Sequence, residues 1–116
     1  MKCGKFRFGS LKIDGEEYTK DVILDRGELR KRKKKMSRPF REQFGHTPLS
    51  LEEDIPWKCK RLVIGTGMEG GLPVMDDVVA EAQRRGIELV IRKTPEAVQM
   101  LTDNPAATNA ILHITC

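Results

Sequence analysis

From Lys60 onward the chain alternates short apolar runs with amphipathic segments, and few folds accept that alternation. Leu62–Gly65, Ile87–Ile91 and Ala110–Thr115 read as strands, short runs rich in branched residues and bounded by turn formers. Between the first two, Pro73–Arg85 reads as a helix. It has proline in its first turn, Asp76 and Asp77 early, Arg84 and Arg85 late, and Gly86 as its stop. Val74, Val78, Val79 and Ala82 form its inner face. Thr94 is placed to cap a second helix opening at Pro95, with Ala97, Val98 and Leu101 inward and Asn104-Pro105 at its end. The result is a β-α-β-α-β half. Its right-handed crossovers set the helices on one face of the sheet or on both, according to strand order.

The first half reads as a meander. Lys5–Ile13 is a strand candidate whose phase slips near Gly9, Asp14-Gly15 is a turn, and Glu17–Leu24 is the return strand. A hairpin over residues 5–24 is therefore predicted, followed by a third strand over Leu29–Met36 and an irregular connection from Arg38 to Thr47. Ser50-Leu51-Glu52-Glu53 has the spacing of a capping box with Leu49 as a staple, so a short helix is expected there, ended by Pro56. The fold class is α/β: a mixed sheet with an N-terminal hairpin or meander, in one compact domain over residues 1–116, a length that buries one modest core.

Composition narrows the class. With 39% hydrophobic and 33% charged residues the chain is globular, not disordered, and no run approaches the roughly 18 apolar residues of a membrane helix. The N-terminus leads into a strand pattern without a signal-peptide core, so a cytoplasmic location and no membrane role are expected. Cys3, Cys59 and Cys116 are odd in number, widely spaced and without a CxxC pair or a histidine at ligand spacing. Free thiols are expected, with neither a metal nor a cofactor. The net charge of +4 is local: residues 26–41 hold nine Lys/Arg against one acid, Glu28, while the rest holds 12 basic and 16 acidic residues.

The junction after Leu62–Gly65 is the first candidate site. Gly65-Thr66-Gly67-Met68-Glu69-Gly70 satisfies G-x-G-x-x-G, but Ile87–Ile91 ends in Arg92-Lys93 where a dinucleotide fold places a ribose-binding acid. No Gly-Lys-Ser/Thr is present, which excludes a P-loop. The favoured role of these glycines is a tight turn and close helix–strand packing. If the two strands are parallel, however, Thr66, Gly67, Met68, Gly70, Gly71, Arg92, Lys93 and Thr94 converge on a modest anion site for phosphate or carboxylate. The basic run is the second candidate. Arg30, Arg32 and Lys34 are its nucleic-acid contacts, but Phe40 and Phe44 are the only aromatics nearby, and a solvated edge strand is the more economical reading. His113 and Cys116 point apart on the last strand, so no Cys–His pair and no catalytic residue is assigned.

Phe8-Gly9, Asp14-Gly15, Tyr18, Asp21-Val22, Gly45-His46-Thr47, Gly65-Thr66-Gly67-Met68, Gly86-Ile87, Thr94, Ala97 and the terminal His113-Ile114-Thr115-Cys116 together resemble a widespread family. It includes the vertebrate adipogenesis-associated domain protein and, more distantly, a mitochondrial complex I assembly factor. The resemblance implies a compact α/β domain with a mixed sheet and no catalytic residue to carry over. It also implies a link to regulation and to assembly of other proteins. Leu101-Thr102 stands where a Tyr-Asn pair is usual, and no mitochondrial targeting extension is read. The leading expectation is a non-enzymatic protein-interaction, assembly or regulatory module with an unidentified protein partner and scope for homo-oligomers. Anion or small-molecule binding at Gly65–Gly71 is the alternative, and nucleic-acid binding comes third.

Overall fold

The computed structural model describes residues 3–7 and 9–115, and residues 3–7 by backbone alone. Cys3–Arg7 (β1), Ser10–Ile13 (β2) and Glu16–Tyr18 (β3) form an antiparallel sheet in that order. A second, mixed sheet is built from Val22–Asp25 (β4), Glu28–Lys31 (β5), Arg61–Thr66 (β6), Glu88–Arg92 (β7) and Thr108–His113 (β8). Its order is β5-β4-β8-β6-β7, with β6 parallel to both β7 and β8, and β4 antiparallel to β5 and β8. The helices are Arg41–Phe44 (α1), Asp76–Arg84 (α2) and Thr94–Asp103 (α3), with a 3-10 helix over Lys35–Phe40. The α/β class and the mixed sheet stand as expected. Among the described residues, no helix is long and apolar enough to cross a membrane.

The mixed sheet is the middle layer, and strand alternation divides its side chains between two cores. Val63, Val90, Ala110 and Leu112 pack with Ala97, Val98 and Leu101 of α3 and with Leu11 and Ile13 of β2. Leu62, Ile64 and Ile111 face the other way, onto Val78 of α2 and onto Leu49, Ile55 and Leu72. The two helices therefore lie on opposite faces. That arrangement suits right-handed crossovers here, because the chain moves outward from β6 to β7 and then back past β6 to β8.

Several local expectations give way to tertiary demands. The predicted hairpin over residues 5–24 is divided between two sheets. Gly9, at φ +78°, separates β1 from β2, and Asp14-Gly15 closes the β2–β3 turn as expected. Phe8 lies outside the described residues. The return strand breaks after Tyr18 because Val22, Ile23 and Leu24 are buried consecutively; such a run needs cover on both faces and finds it in the mixed sheet, with Val22 and Leu24 in one core and Ile23 in the other. Arg26-Gly27, with φ values of 50° and 84°, supplies the unforeseen turn between β4 and β5.

The third strand stops at Lys31 instead of reaching Met36, because the next side chain, Arg32, turns inward to buried carboxylates. Ser50–Glu53 is a turn and not a helix: the Glu53 amide donates to the Ser50 carbonyl at 3.2 Å, and the Glu53 carboxylate is engaged by Arg32. The first long helix starts at Asp76, not Pro73. Leu49 donates to the Pro73 carbonyl and accepts from the Met75 amide, holding Pro73–Met75 extended. Lys93, not Thr94, occupies the capping position of α3, and the Thr94 hydroxyl is used elsewhere. Cys59 is a free thiol that burial pushes up, away from the reactive thiolate; the Cys3 side chain and Cys116 lie outside the described residues.

Candidate functional site

In open α/β sheets, ligands settle at the carboxyl ends of parallel strands whose connections leave toward opposite faces. β6 and β7 are such a pair, and all eight residues predicted to bind an anion gather at their ends. They are tied to one another. The Thr94 hydroxyl accepts the Gly67 amide at 2.8 Å and donates to the His113 carbonyl at 2.6 Å. The Thr94 amide donates back to the Gly67 carbonyl at 3.0 Å, and the Thr66 hydroxyl donates to the Arg92 carbonyl at 3.1 Å. Met68 donates to the Thr115 carbonyl and Leu72 to the Thr66 carbonyl.

The glycines make this closure possible. A Cβ on Gly65 would lie 2.8 Å from the Thr94 hydroxyl and 3.2 Å from its Cα. Gly70, at φ +74°, sits against the Lys93 stem and the Thr66 hydroxyl. The Arg92 guanidinium is exposed and donates to the neighbouring Ile91 carbonyl. The Gly67 and Met68 amides are thus spent inside the protein, whereas Gly71 lines an open cavity beside the crevice, toward β8.

That cavity, about 460 Å³, has a buried floor and a cationic rim. Arg32 and His113 lie at the floor, with 1% and 12% of their side chains exposed, and Thr47 and Thr115 are half-buried beside them. Lys34, Arg38, Arg41 and His46 stand exposed around the mouth. Among the described residues, ion pairs engage Arg26, Arg30, Arg32, Arg84, Arg85 and His113; Lys34, Arg38 and Arg41 have none. Three cations without a counter-charge at the mouth of one cavity focus a positive potential there.

The floor is held by a closed network of buried ions. Arg32 grips Glu53 through Nε and NH2, both at 2.8 Å, Asp21 through NH1 at 2.8 Å, and the Pro48 carbonyl at 3.1 Å. Ser37 donates to Glu53 and is bonded to Ser50. Asp21 also meets His113 Nδ1 at 2.9 Å and accepts the Ile114 amide at 3.0 Å, while His113 Nε2 lies 3.2 Å from the Thr115 hydroxyl. Burial pushes the Asp21 carboxyl up, but the His113 hydrogen bond and charge, the Arg32 charge and the Ile114 amide outweigh it and hold the group below its usual value. Burial likewise opposes the charge on Arg32, and Glu53 and Asp21 overcome it, so the guanidinium stays ionised. With Asp21 on one ring nitrogen and a hydroxyl near the other, the His113 ring is held in a fixed orientation at the cavity wall.

The three basic residues predicted for nucleic acid separate here. Arg32 is interior, Arg30 pairs with Asp25 and Asp54, and Lys34 reaches the rim. Sequence reasoning did not place Asp21, Arg38, Arg41, His46, Thr47, His113 or Thr115 in a common site. The usable signal was there: Gly45-His46-Thr47 and His113–Thr115 carry polar residues at the ends of apolar segments, where a packing role alone does not require them.

A family model described as "Protein of unknown function (DUF498/DUF598)" matches residues 4–102. Among solved structures, the conserved hypothetical protein PH1505 from Pyrococcus horikoshii OT3 is similar over 100% of both chains, with a TM-score of 0.80 and 28% identity. A protein described as MT938 aligns over 98% of this chain and 97% of its own, with a TM-score of 0.72 and 22% identity, a likeness of fold. An outer membrane protein from Bartonella henselae shares the fold at a TM-score of 0.67 and 13% identity, over 99% of this chain and 95% of its own. No curated protein matches the chain significantly.

Proposed function

We propose that this chain, which belongs to the DUF498/DUF598 family of proteins of unknown function, is a binding domain for a small anionic ligand taken into the cationic cavity. One observation carries the reading: Lys34, Arg38 and Arg41 surround an open cavity of about 460 Å³ with no carboxylate paired to them among the described residues. Cavities of about 300–1,000 Å³ are the usual size for small-molecule sites. Of the residues first expected to bind an anion, Gly71 stays in the proposal as part of the wall. Thr66, Gly67, Met68, Arg92 and Thr94 support the wall from behind through the hydrogen bonds they make, and Gly70 and Lys93 lie side by side there.

The role is one of recognition. The sequence resemblance to the family of the adipogenesis-associated domain protein is the ground for reading this chain as a regulatory or assembly module in which ligand occupancy controls contact with a protein partner, in the cytoplasm. Titration of isotope-labelled protein with sulfate and phosphate at low ionic strength tests the binding step. Amide shifts confined to residues 32–47, 71–72 and 113–115 are expected, and R38A/R41A abolishes them. Shifts centred on residues 66–70 and 92–94 place the ligand in the crevice instead, and no shift at all ends the reading.

A further inference from the structure

A second cavity, about 510 Å³, opens beside the first and shares Arg32, Lys34, Arg38 and Thr115 with it. Lys34 and Arg38 therefore stand between two openings and can donate to either side. Arg41 and His46 extend the positive lining in one direction, and Lys20, Lys33 and Lys35 extend it in the other. All of these side chains are exposed, so their charges face solvent and any ligand in it. Among the described residues, Asp21 is the one acid in the lining of either cavity, and it is already committed to Arg32, His113 and the Ile114 amide. The two adjoining cavities share a cationic wall and together form a cationic trough.

We propose that the trough binds consecutive phosphate groups of one chain, in place of a single anion. This rests on the anion-binding reading and extends it to the ligand's class. A lone phosphate occupies a small part of either cavity and leaves the cations of the other side without a partner. A linear oligophosphate neutralises both ends at once, with Lys34 and Arg38 shared between neighbouring groups. Its binding releases more counterions per ligand, so affinity rises with chain length and falls more steeply with salt. A nucleic-acid backbone offers the same chemistry. Among the described residues, the trough lining has no aromatic side chain on which bases could stack, which favours a chain of phosphates without bases.

Calorimetric titration with inorganic phosphate, diphosphate, tripolyphosphate and a short oligothymidylate, at matched ionic strength, tests this. Tripolyphosphate is expected to bind at least about tenfold more tightly than phosphate, with the steeper salt dependence. K33A/K35A, in the lining of the second cavity and not of the first, weakens tripolyphosphate about fivefold or more and leaves phosphate unchanged; R41A weakens both. K58A, at the opposite end of β8 beside Asn109, changes neither. Equal affinity for phosphate and tripolyphosphate overturns the proposal and leaves the anion site standing. A loss in K58A matching that in K33A/K35A overturns it too, because binding then follows overall charge. Absence of binding by every probe overturns both readings. If the oligothymidylate binds more tightly than tripolyphosphate, with the same sensitivity to K33A/K35A, the phosphate chain is that of a nucleic acid.

Discussion

Arg32→Met replaces a buried cation with a side chain of similar reach and no charge, and its consequences can be worked out from the contacts. The substitution removes four hydrogen bonds, two to Glu53, one to Asp21 and one to the Pro48 carbonyl. It also leaves Glu53, only 3% exposed, as an ionised carboxylate whose remaining side-chain donor is Ser37. Removing one partner of a buried ion pair costs about 3–5 kcal/mol, most of it the cost of the orphaned charge. A domain of this size has about 5–15 kcal/mol in total, so the variant is expected to be folded only marginally. With a urea slope of about 1–3 kcal/mol/M, the unfolding midpoint falls by at least about 1 M at constant slope. The double variant R32M/E53Q distinguishes an orphaned charge from lost packing. Neutralising Glu53 removes the uncompensated carboxylate, so the double variant should be more stable than the sum of the single losses predicts, by about 1.5 kcal/mol or more. A loss below about 1 kcal/mol in R32M, or strict additivity in the cycle, refutes the view that Arg32 is held in place by buried acids.

Asp21 makes a related contribution that depends on pH. Its folded pKa lies below the ordinary 3.8, so its stabilisation is fully present above that value and disappears as pH falls through the lowered one. The stability gap between wild type and D21N, followed by urea midpoints from about pH 6 down to about pH 2, should therefore close below about pH 3.8; a gap of constant size refutes the assignment. Gly65→Ala forces a methyl group into Thr94 and should cost about 1–3 kcal/mol in chemical unfolding, while no loss shows that α3 stands further from β6 than described. Thr94→Val keeps the shape but strands the buried Gly67 amide and removes a donor from the His113 carbonyl, at about 1–3 kcal/mol. Hydrogen exchange at Gly67 should accelerate in that variant, and unchanged protection refutes the role given to the hydroxyl.

Much of the second half of the fold was legible because the signals are local. Apolar alternation, the acids Asp76 and Asp77 early in the helix, Arg84 and Arg85 late in it and the Gly86 stop act within a turn or two of the residues concerned. The β-α-β-α-β order follows from them, and so does the Asp14-Gly15 turn. The role of Gly65 as a point of close approach was legible as well, since a glycine between a strand and a helix permits few alternatives. Misplaced elements share a different cause. Ser50 and Glu53 have the spacing of a helix start, yet Glu53 is needed 21 residues away by Arg32, and one buried charge outweighs a surface cap. Pro73 has the right place to open a helix, yet Leu49 holds it extended.

The site divides along the same line. The sequence by itself determined that a glycine-rich junction and a cationic segment both exist, because composition and short spacing are properties of neighbouring residues. Only the tertiary structure decided that the junction is sealed by Thr94 and that the opening lies one strand over, beneath Lys34, Arg38 and Arg41. The contact between Asp21 and His113 spans 92 positions, and it converts two unremarkable polar residues into a cavity floor. Which cations are neutralised inside and which remain for a ligand depends on what each one faces across the packed sheet, and that is settled by the fold's geometry, not by order along the chain.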